Sequence, residues 1–170
     1  MTQDPDIAVL TTIRTGERAL PFDPAARAPD AHLVFIGKSA TAWTQREDCP
    51  KNMGQARERN VQAQVLVDED YREGLLGLEA HSHVIILTWL HRSARDLIVQ
   101  HPRHAEEPRG TFALRSPVRP NPIGLHVARL VAVDVADGRL VLEGLDVLDG
   151  TPVIDIKPYF ASSDRPDLDD

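Results

Sequence analysis

Apolar residues in this chain occur in short runs that proline and glycine interrupt. Residues 61–67 alternate between small apolar and mostly polar side chains, which predicts a strand with one buried face. Residues 84–90 form a continuous apolar run, which favours a buried strand. The run at 125–135 is rich in β-formers, and Asp137-Gly138 after it is a two-residue turn signal that predicts a partner strand at 139–142.

The remaining segments are shorter. We predict further strands at 7–13, 33–36 and 153–156, the last after an Asp149-Gly150 turn. We expect one or two helical turns at 69–78, a short helix at 92–100, and irregular segments at 20–29, 43–53 and 101–109. Many short strands with little helix predict a mainly β fold, either a barrel or a sandwich.

Composition places the chain among ordinary globular proteins. It has 170 residues, 42% of them hydrophobic and 26% charged, which suits one domain and excludes disorder. Its one cysteine, Cys49, excludes an internal disulfide and any site that needs several cysteines. There is no run of about 18 apolar residues, and the N-terminal stretch has Asp4 and Asp6 but no basic region. We therefore expect a cytoplasmic protein without a membrane partner.

The net charge of −7 argues against generic coating of nucleic acid, but the charge is uneven. Residues 91–129 contain seven Arg and three acidic residues, a balance of +4 that leaves −11 on the rest of the chain. The same stretch holds four of the seven His. Arginine in place of lysine favours bidentate recognition of carboxylate or phosphate, and the alternative is a solvated face.

Two nucleotide-binding motifs are excluded. The chain contains no G-x-G pair, so it has neither a Rossmann fingerprint nor a P-loop. A nucleotide-like cofactor would have to bind in another way.

Histidines offer a possible metal site. His81 and His83 would lie on one strand face, and His91, His101 or His104 could complete a ligand set. The alternative is one structural histidine and one that contacts a ligand. No carboxylate stands at a fixed spacing from the pair, so we predict no metal.

Two polar segments are candidates for substrate recognition. Residues 115–124 contain three prolines and a glycine, and this stiff segment displays Arg115, Arg119 and Asn121. The alternative is an ordinary connector between strands.

The second segment is 153–159. As a strand, it would place its odd-numbered residues on one face, with Asp155, Lys157 and Tyr159 as a polar row, and would turn Ile154 and Ile156 to the core. Asp155 and Lys157 could orient a substrate or move a proton, and Tyr159 could stack on a base. The alternative is a solvent-facing salt bridge.

Three stretches together resemble a known family. They are GLEAHSHVIIL at 77–87, FALRSPVRPNPIGL at 112–125 and LDVLDGTPVIDIKPY at 145–159. Their order and spacing are similar to those of the TsaA/YaeB family, called TrmO in bacteria, and residues 35–43 resemble its opening strand. The resemblance covers residues 33–160.

The resemblance implies a small, non-Rossmann β-barrel with a few short helices. It would occupy residues 32–161, between an N-terminal arm at 1–31 and an acidic tail at 162–170. Members of the family are homodimeric S-adenosylmethionine-dependent methyltransferases. They act on N6 of threonylcarbamoyl-adenosine 37 of tRNA, in the anticodon loop.

Motif by motif, the resemblance also implies roles for residues. The cofactor would be held by Thr41, Ala42, Trp43, Ser82, His83, Arg115, Leu145 and Asp146. The substrate would be bound by Arg119 and Asn121, and the reacting nitrogen would face the catalytic residues Asp155, Lys157 and Tyr159. The chain departs from the family's pattern at Thr111, where a small apolar residue is usual, and at Thr41-Ala42, where Ser-Pro is usual.

Other functions remain open at this stage. The protein could bind S-adenosylmethionine and act on another substrate, or it could be a non-catalytic RNA-binding regulator. A histidine-based metalloenzyme is a further alternative.

Overall fold

A computed structural model describes residues 13–103 and 105–165. The predicted strand at 7–13, apart from its last residue, lies outside the described residues, as do His104 and residues 166–170 of the predicted tail. The described residues divide into two compact units, one within residues 13–32 and 90–124 and the other within residues 33–89 and 125–165. The predicted division into arm, domain and tail stays a prediction.

Strands dominate the described residues. They are β1 (Arg18–Ala19), β2 (Gly37–Ala40), β3 (Ala63–Val67), β4 (His83–Trp89), β5 (Leu97–Gln100), β6 (Arg109–Gly110), β7 (Ile123–Asp134), β8 (Arg139–Leu142) and β9 (Pro152–Pro158). The α-helices are α1 (Met53–Arg59) and α2 (Ala161–Asp164). Short 3-10 helices are formed by Pro24–Ala26, Glu69–Leu75, Leu78–Ala80 and Thr111–Ala113. In this part of the chain, no helix is long and apolar enough to cross a membrane.

Six strands close into a barrel in the order β2-β3-β8-β7-β4-β9. Its interior is filled by alternate side chains, and the fully buried ones include Val65, Val84, Ile86, Leu140 and Val153. Burying each such side chain contributes about 1.5–3 kcal/mol, so the alternating pattern of the sequence supplies the core. The predicted mainly β barrel with a few short helices is confirmed.

The hairpin predicted around Asp137-Gly138 is also confirmed. Gly138 has a φ of +66°, which favours glycine, and a Cβ there would lie 2.5 Å from the Val67 carbonyl oxygen. Both the backbone conformation and the lack of space therefore require glycine. Strand β8 begins at the next residue and pairs with both β7 and β3.

The strand predicted at 33–36 is wrong in position. Leu33, Val34 and Phe35 are exposed. Ile36 makes the first backbone hydrogen bonds, with Val153 and Asp68, and the strand itself begins at Gly37, opposite Val67. The two backbones approach so closely there that a Cβ on Gly37 would lie 2.1 Å from the Leu66 carbonyl oxygen. The close approach therefore excludes a side chain at the first residue of β2.

The helix predicted at 92–100 is also wrong. Leu97–Gln100 forms β5, the central strand of a three-stranded sheet with β1 and β6. Pairing with segments distant in sequence overrides the weak local helix signal.

A β-bulge in β9 corrects the predicted face of residues 153–159. Val153 pairs with Thr88 while Asp155 pairs with Leu87, so Ile154 is an extra residue in the ladder. Val153 and Thr88 are fully buried, whereas Asp155 lies on the outer side with Leu87. Val153 therefore does not share the face of Asp155 and Lys157, as strict alternation had predicted.

Candidate functional site

Two segments predicted to bind a cofactor meet at one end of the barrel. The Thr41 hydroxyl donates to the Val147 carbonyl (3.1 Å), and the Thr41 N–H donates to Asp149 Oδ1 (3.0 Å). The Trp43 indole N–H donates to the Leu145 carbonyl (3.0 Å). Residues 41–43 and 145–149 are more than 100 positions apart, and these bonds fasten them into one cluster.

Helix α1 supports this cluster and was missed in the sequence. Asn52 caps its first turn by accepting from the Gln55 N–H, and the Gln55 side chain accepts from the Lys51 N–H. This Asn-x-x-Gln spacing is the signal that could have predicted the helix. The helix lies close to Gly144, where a Cβ would be 3.2 Å from the Ala56 carbonyl oxygen.

Arg59, in the last turn of α1, contacts the predicted aromatic residue of the site. Its Cζ lies 4.8 Å from the centroid of the Trp43 ring, within the range of a cation–π interaction. The same guanidinium donates to the Asp48 carbonyl. One side of the Trp43 ring is therefore held by the protein.

Asp146 lies beside Leu145 and is bonded to a residue that the sequence analysis did not select. His126 Nδ1 lies 2.6 Å from Asp146 Oδ1, and His126 Nε2 lies 2.9 Å from the Thr88 hydroxyl. Thr88 and His126 are 38 positions apart and His126 and Asp146 are 20 apart, so no local pattern could have linked them.

The negative charge of Asp146 affects the pKa of Cys49. The pKa of the Cys49 thiol is raised to about 11, chiefly by burial and in addition by the negative charge of Asp146, while Arg59 acts in the opposite direction. The thiol therefore stays protonated at neutral pH and is a poor nucleophile.

A second group of predicted residues lies at the start of β4, the end opposite to Thr88. The Ser82 hydroxyl lies 3.0 Å from His83 Nδ1, and the His83 ring makes an edge contact with Tyr159 at 6.3 Å between centroids. His83 and Thr88 are five residues apart on one strand, a distance of about 16 Å at 3.3 Å per residue. Ser82 thus contacts His83, and His83 contacts Tyr159. This group lies at the end of β4 away from Thr88, whose partner His126 contacts Asp146.

Asp155 and Lys157 form an ion pair on the outer surface. Their Oδ2 and Nζ atoms lie 2.6 Å apart, with 39% and 58% of the side chains exposed. Asp155 Oδ1 also accepts from the Ile156 N–H at 2.9 Å. This geometry is the solvent-facing salt bridge that the sequence left open as an alternative, and the predicted catalytic roles stay predictions.

Arg115, Arg119 and Asn121 belong to the other unit of the chain. Arg119 donates to the Leu114 and Ser116 carbonyls of its own segment, at 3.3 and 3.5 Å. Asn121 accepts from Arg95, which also donates to the Pro120 carbonyl at 2.6 Å. The stiffness predicted from the prolines is thus reinforced by two guanidinium groups.

Buried hydrogen bonds hold the start of the same segment. Gln100 Nε2 donates to the Thr111 hydroxyl (3.0 Å) and to the Val118 carbonyl (2.6 Å), and the Thr111 hydroxyl donates to the Leu97 carbonyl (2.9 Å). Thr111, a departure from the family's pattern, therefore has a structural role here.

The histidines that the structure describes do not gather as a metal site. Within residues 13–103 and 105–165, no group of three or more His, Cys, Asp or Glu could hold a metal ion. His81 packs against the Phe160 ring at 5.3 Å, and both ring nitrogens of His101 face backbone carbonyl oxygens.

These features define a small closed β-barrel protein whose candidate site is built from loops at one end. A family model described as the tRNA-methyltransferase O N-terminal domain matches residues 38–165, and the chain belongs to this family. The match includes both segments of the Trp43–Leu145–Asp146 cluster.

Curated relatives carry two kinds of name. A probable S-adenosyl-L-methionine-binding protein, VirR of Rhizobium radiobacter, is 40% identical over 148 residues, which are 87% of this chain and 80% of that protein. A mouse tRNA (adenine(37)-N6)-methyltransferase is 47% identical over 95 residues, which are 54% of this chain and 22% of that protein.

Solved structures of TrmO share the fold. One has a TM-score of 0.67 at 30% identity and covers 82% of this chain and 62% of its own. TrmO from Pseudomonas aeruginosa has a TM-score of 0.65 at 31% identity and covers 82% and 60%. The chain therefore spans about three fifths of these solved TrmO chains.

The proximity of Asp146 and Cys49 can be tested by alkylation. Asp146→Asn should lower the pKa of Cys49, because it removes a negative charge that disfavours the thiolate, and should speed reaction with iodoacetamide at pH 8–9. Arg59→Gln should slow the reaction for the opposite reason. Equal rates in both variants and the wild type, measured by mass spectrometry, would contradict the arrangement.

Proposed function

We propose that this protein is an S-adenosylmethionine-dependent methyltransferase that modifies N6 of adenosine 37 in tRNA. The observation that carries the proposal is the cluster of Trp43, Leu145 and Asp146, which lies within the segment that matches the TrmO family. The names of the relatives point to the same cofactor and to the same class of substrate.

The chemistry of the cluster fits the cofactor. A carboxylate such as Asp146 can accept hydrogen bonds from ribose hydroxyls or an ammonium group, and the Trp43 ring offers a surface on which adenine can stack. S-adenosylmethionine supplies an activated methyl group when bound. The chain's own residues then have to align the acceptor nitrogen and take one proton from it.

For the substrate, we propose tRNA that carries threonylcarbamoyl at adenosine 37. Carbamoylation makes the N6–H more acidic, which suits proton transfer to Asp155, and the carboxylate of the threonyl group suits recognition by Arg119. The excess of Arg between residues 91 and 129 supports attraction of RNA despite the net charge of −7.

A homodimer is the proposed assembly, with the cofactor site near the subunit boundary. Within one barrel, His83 lies about 16 Å along β4 from Thr88, which contacts His126 and only through it Asp146. A second copy could bring its Ser82 and His83 to the Asp146 end of this barrel. All the cofactor-binding residues implied by the resemblance would then lie at one site. A cytoplasmic location, where tRNA is modified, completes the proposal.

A second candidate is a protein that binds S-adenosylmethionine without transferring its methyl group. Asp155 is already paired with Lys157 and accepts from the Ile156 N–H, which is the arrangement of a surface ion pair with a structural role. Several relatives are also named only as binding proteins.

Methylation of tRNA separates the candidates. Protein, labelled S-adenosylmethionine and tRNA with or without threonylcarbamoyl at adenosine 37 are incubated, and the nucleosides are analysed. We expect label only in methylated threonylcarbamoyl-adenosine. Label in methyladenosine from tRNA that lacks threonylcarbamoyl at position 37 would contradict the proposed substrate. Cofactor binding without methyl transfer would favour the second candidate. Absence of binding at millimolar cofactor would overturn both.

Asp155→Asn tests the proposed proton acceptor while preserving the shape of the side chain. If Asp155 accepts the proton, single-turnover methylation at saturating tRNA should fall by roughly 10²- to 10⁴-fold, with unchanged cofactor affinity. Asp134→Asn is the matched control, because it breaks another exposed ion pair, with Arg139 at 3.3 Å. A loss below about tenfold, or equal losses in both variants, would show that Asp155 acts only in structure.

A further inference from the structure

We propose that His126 is a positioning residue for cofactor binding, because it fixes the carboxylate of Asp146. The inference rests on the proposed function, since it takes the Trp43–Leu145–Asp146 cluster as the cofactor site. His126 was not among the residues that the family resemblance implied, and it reaches the site only through Asp146.

Because His126 is buried, its ring nitrogens depend on hydrogen bonds within the protein. The residue is 5% exposed and projects from β7 into the barrel, and its partner Thr88 is fully buried on β4. The Asp146 side chain is 16% exposed. A polar group buried in this way costs free energy unless it is hydrogen-bonded, so both ring nitrogens need the partners that they have.

The chemistry of the three groups fixes the direction of the bonds. An ionised carboxylate only accepts, so His126 Nδ1 carries the hydrogen that faces Asp146 Oδ1 at 2.6 Å. In the neutral ring Nε2 is then an acceptor, so the Thr88 hydroxyl donates to it at 2.9 Å. Rotation of the imidazole would break both bonds.

The consequence for the site is a carboxylate that is held before a ligand arrives. The bond from His126 uses Oδ1, while a carboxylate offers about four acceptor positions in all, so capacity remains for donors on the cofactor. The adjacent Leu145 carbonyl is held by the Trp43 indole at 3.0 Å. Two neighbouring residues are thus fastened by different elements, which lowers the entropy lost on binding.

Two substitutions at His126 separate positioning from packing. In His126→Asn, the side-chain amide can donate to Asp146 in place of Nδ1, whereas His126→Leu fills the space without a donor. Calorimetric titration with S-adenosylmethionine and S-adenosylhomocysteine should show affinity within about threefold of wild type for the first variant and at least about tenfold weaker for the second. Thermal unfolding followed by circular dichroism confirms that each variant is folded.

Two controls show whether the effect passes through Asp146. In an Asp146→Ala background, His126→Leu should cause no further loss of affinity, because the group it positions is gone. Thr151→Val removes another buried hydroxyl, which donates to the Leu148 carbonyl at 2.7 Å, and should leave affinity unchanged. If Thr151→Val weakens cofactor affinity as much as His126→Leu does, the effect comes from general loosening of the loop and the proposal is wrong.

The outcomes distinguish this inference from the proposed function. If the wild type binds the cofactor and both His126 variants bind it equally well, or equally poorly, the positioning role is wrong and the proposed function stands. If the wild type binds neither ligand at millimolar concentration, both fail.

Discussion

The candidate site depends on closure of the barrel through β2. This four-residue strand pairs with β3 on one side and β9 on the other, and residues 41–43 follow directly from its end. Because β9 is preceded by the loop at 143–151, closure brings that loop against Trp43. Gly37 makes the closure possible, since any side chain there would meet the backbone of β3.

The site that results is organised by hydrogen bonds across the loops at one barrel end, without a glycine-rich phosphate loop. Helix α1 supports the Trp43 side through Arg59, and the barrel interior supports the Asp146 side through His126. A site held by such bonds before a ligand arrives suits the proposed binding of a small cofactor. The exposed pair Asp155–Lys157 belongs to the outer surface of the barrel.

Local signals predicted much of the fold. Alternation at 61–67 and the Asp-Gly turns specify their elements within a few residues, and the observed strands, such as β3 at Ala63–Val67, follow them. The start of β2, the strand at 97–100 and the bulge at Ile154 were not predictable in this way, because each depends on a pairing partner far along the chain. His126 was missed for the same reason, because its two partners lie on other elements. Asp146, by contrast, had already been selected by motif resemblance.

Hydrogen–deuterium exchange with and without S-adenosylhomocysteine tests the central claim that the loops at one barrel end form the cofactor site. The account predicts slower exchange at residues 41–49 and 143–149 when the ligand is bound, since these backbones are joined by the bonds of Thr41 and Trp43. Ligand binding that leaves exchange in both segments unchanged, with protection elsewhere, would contradict it.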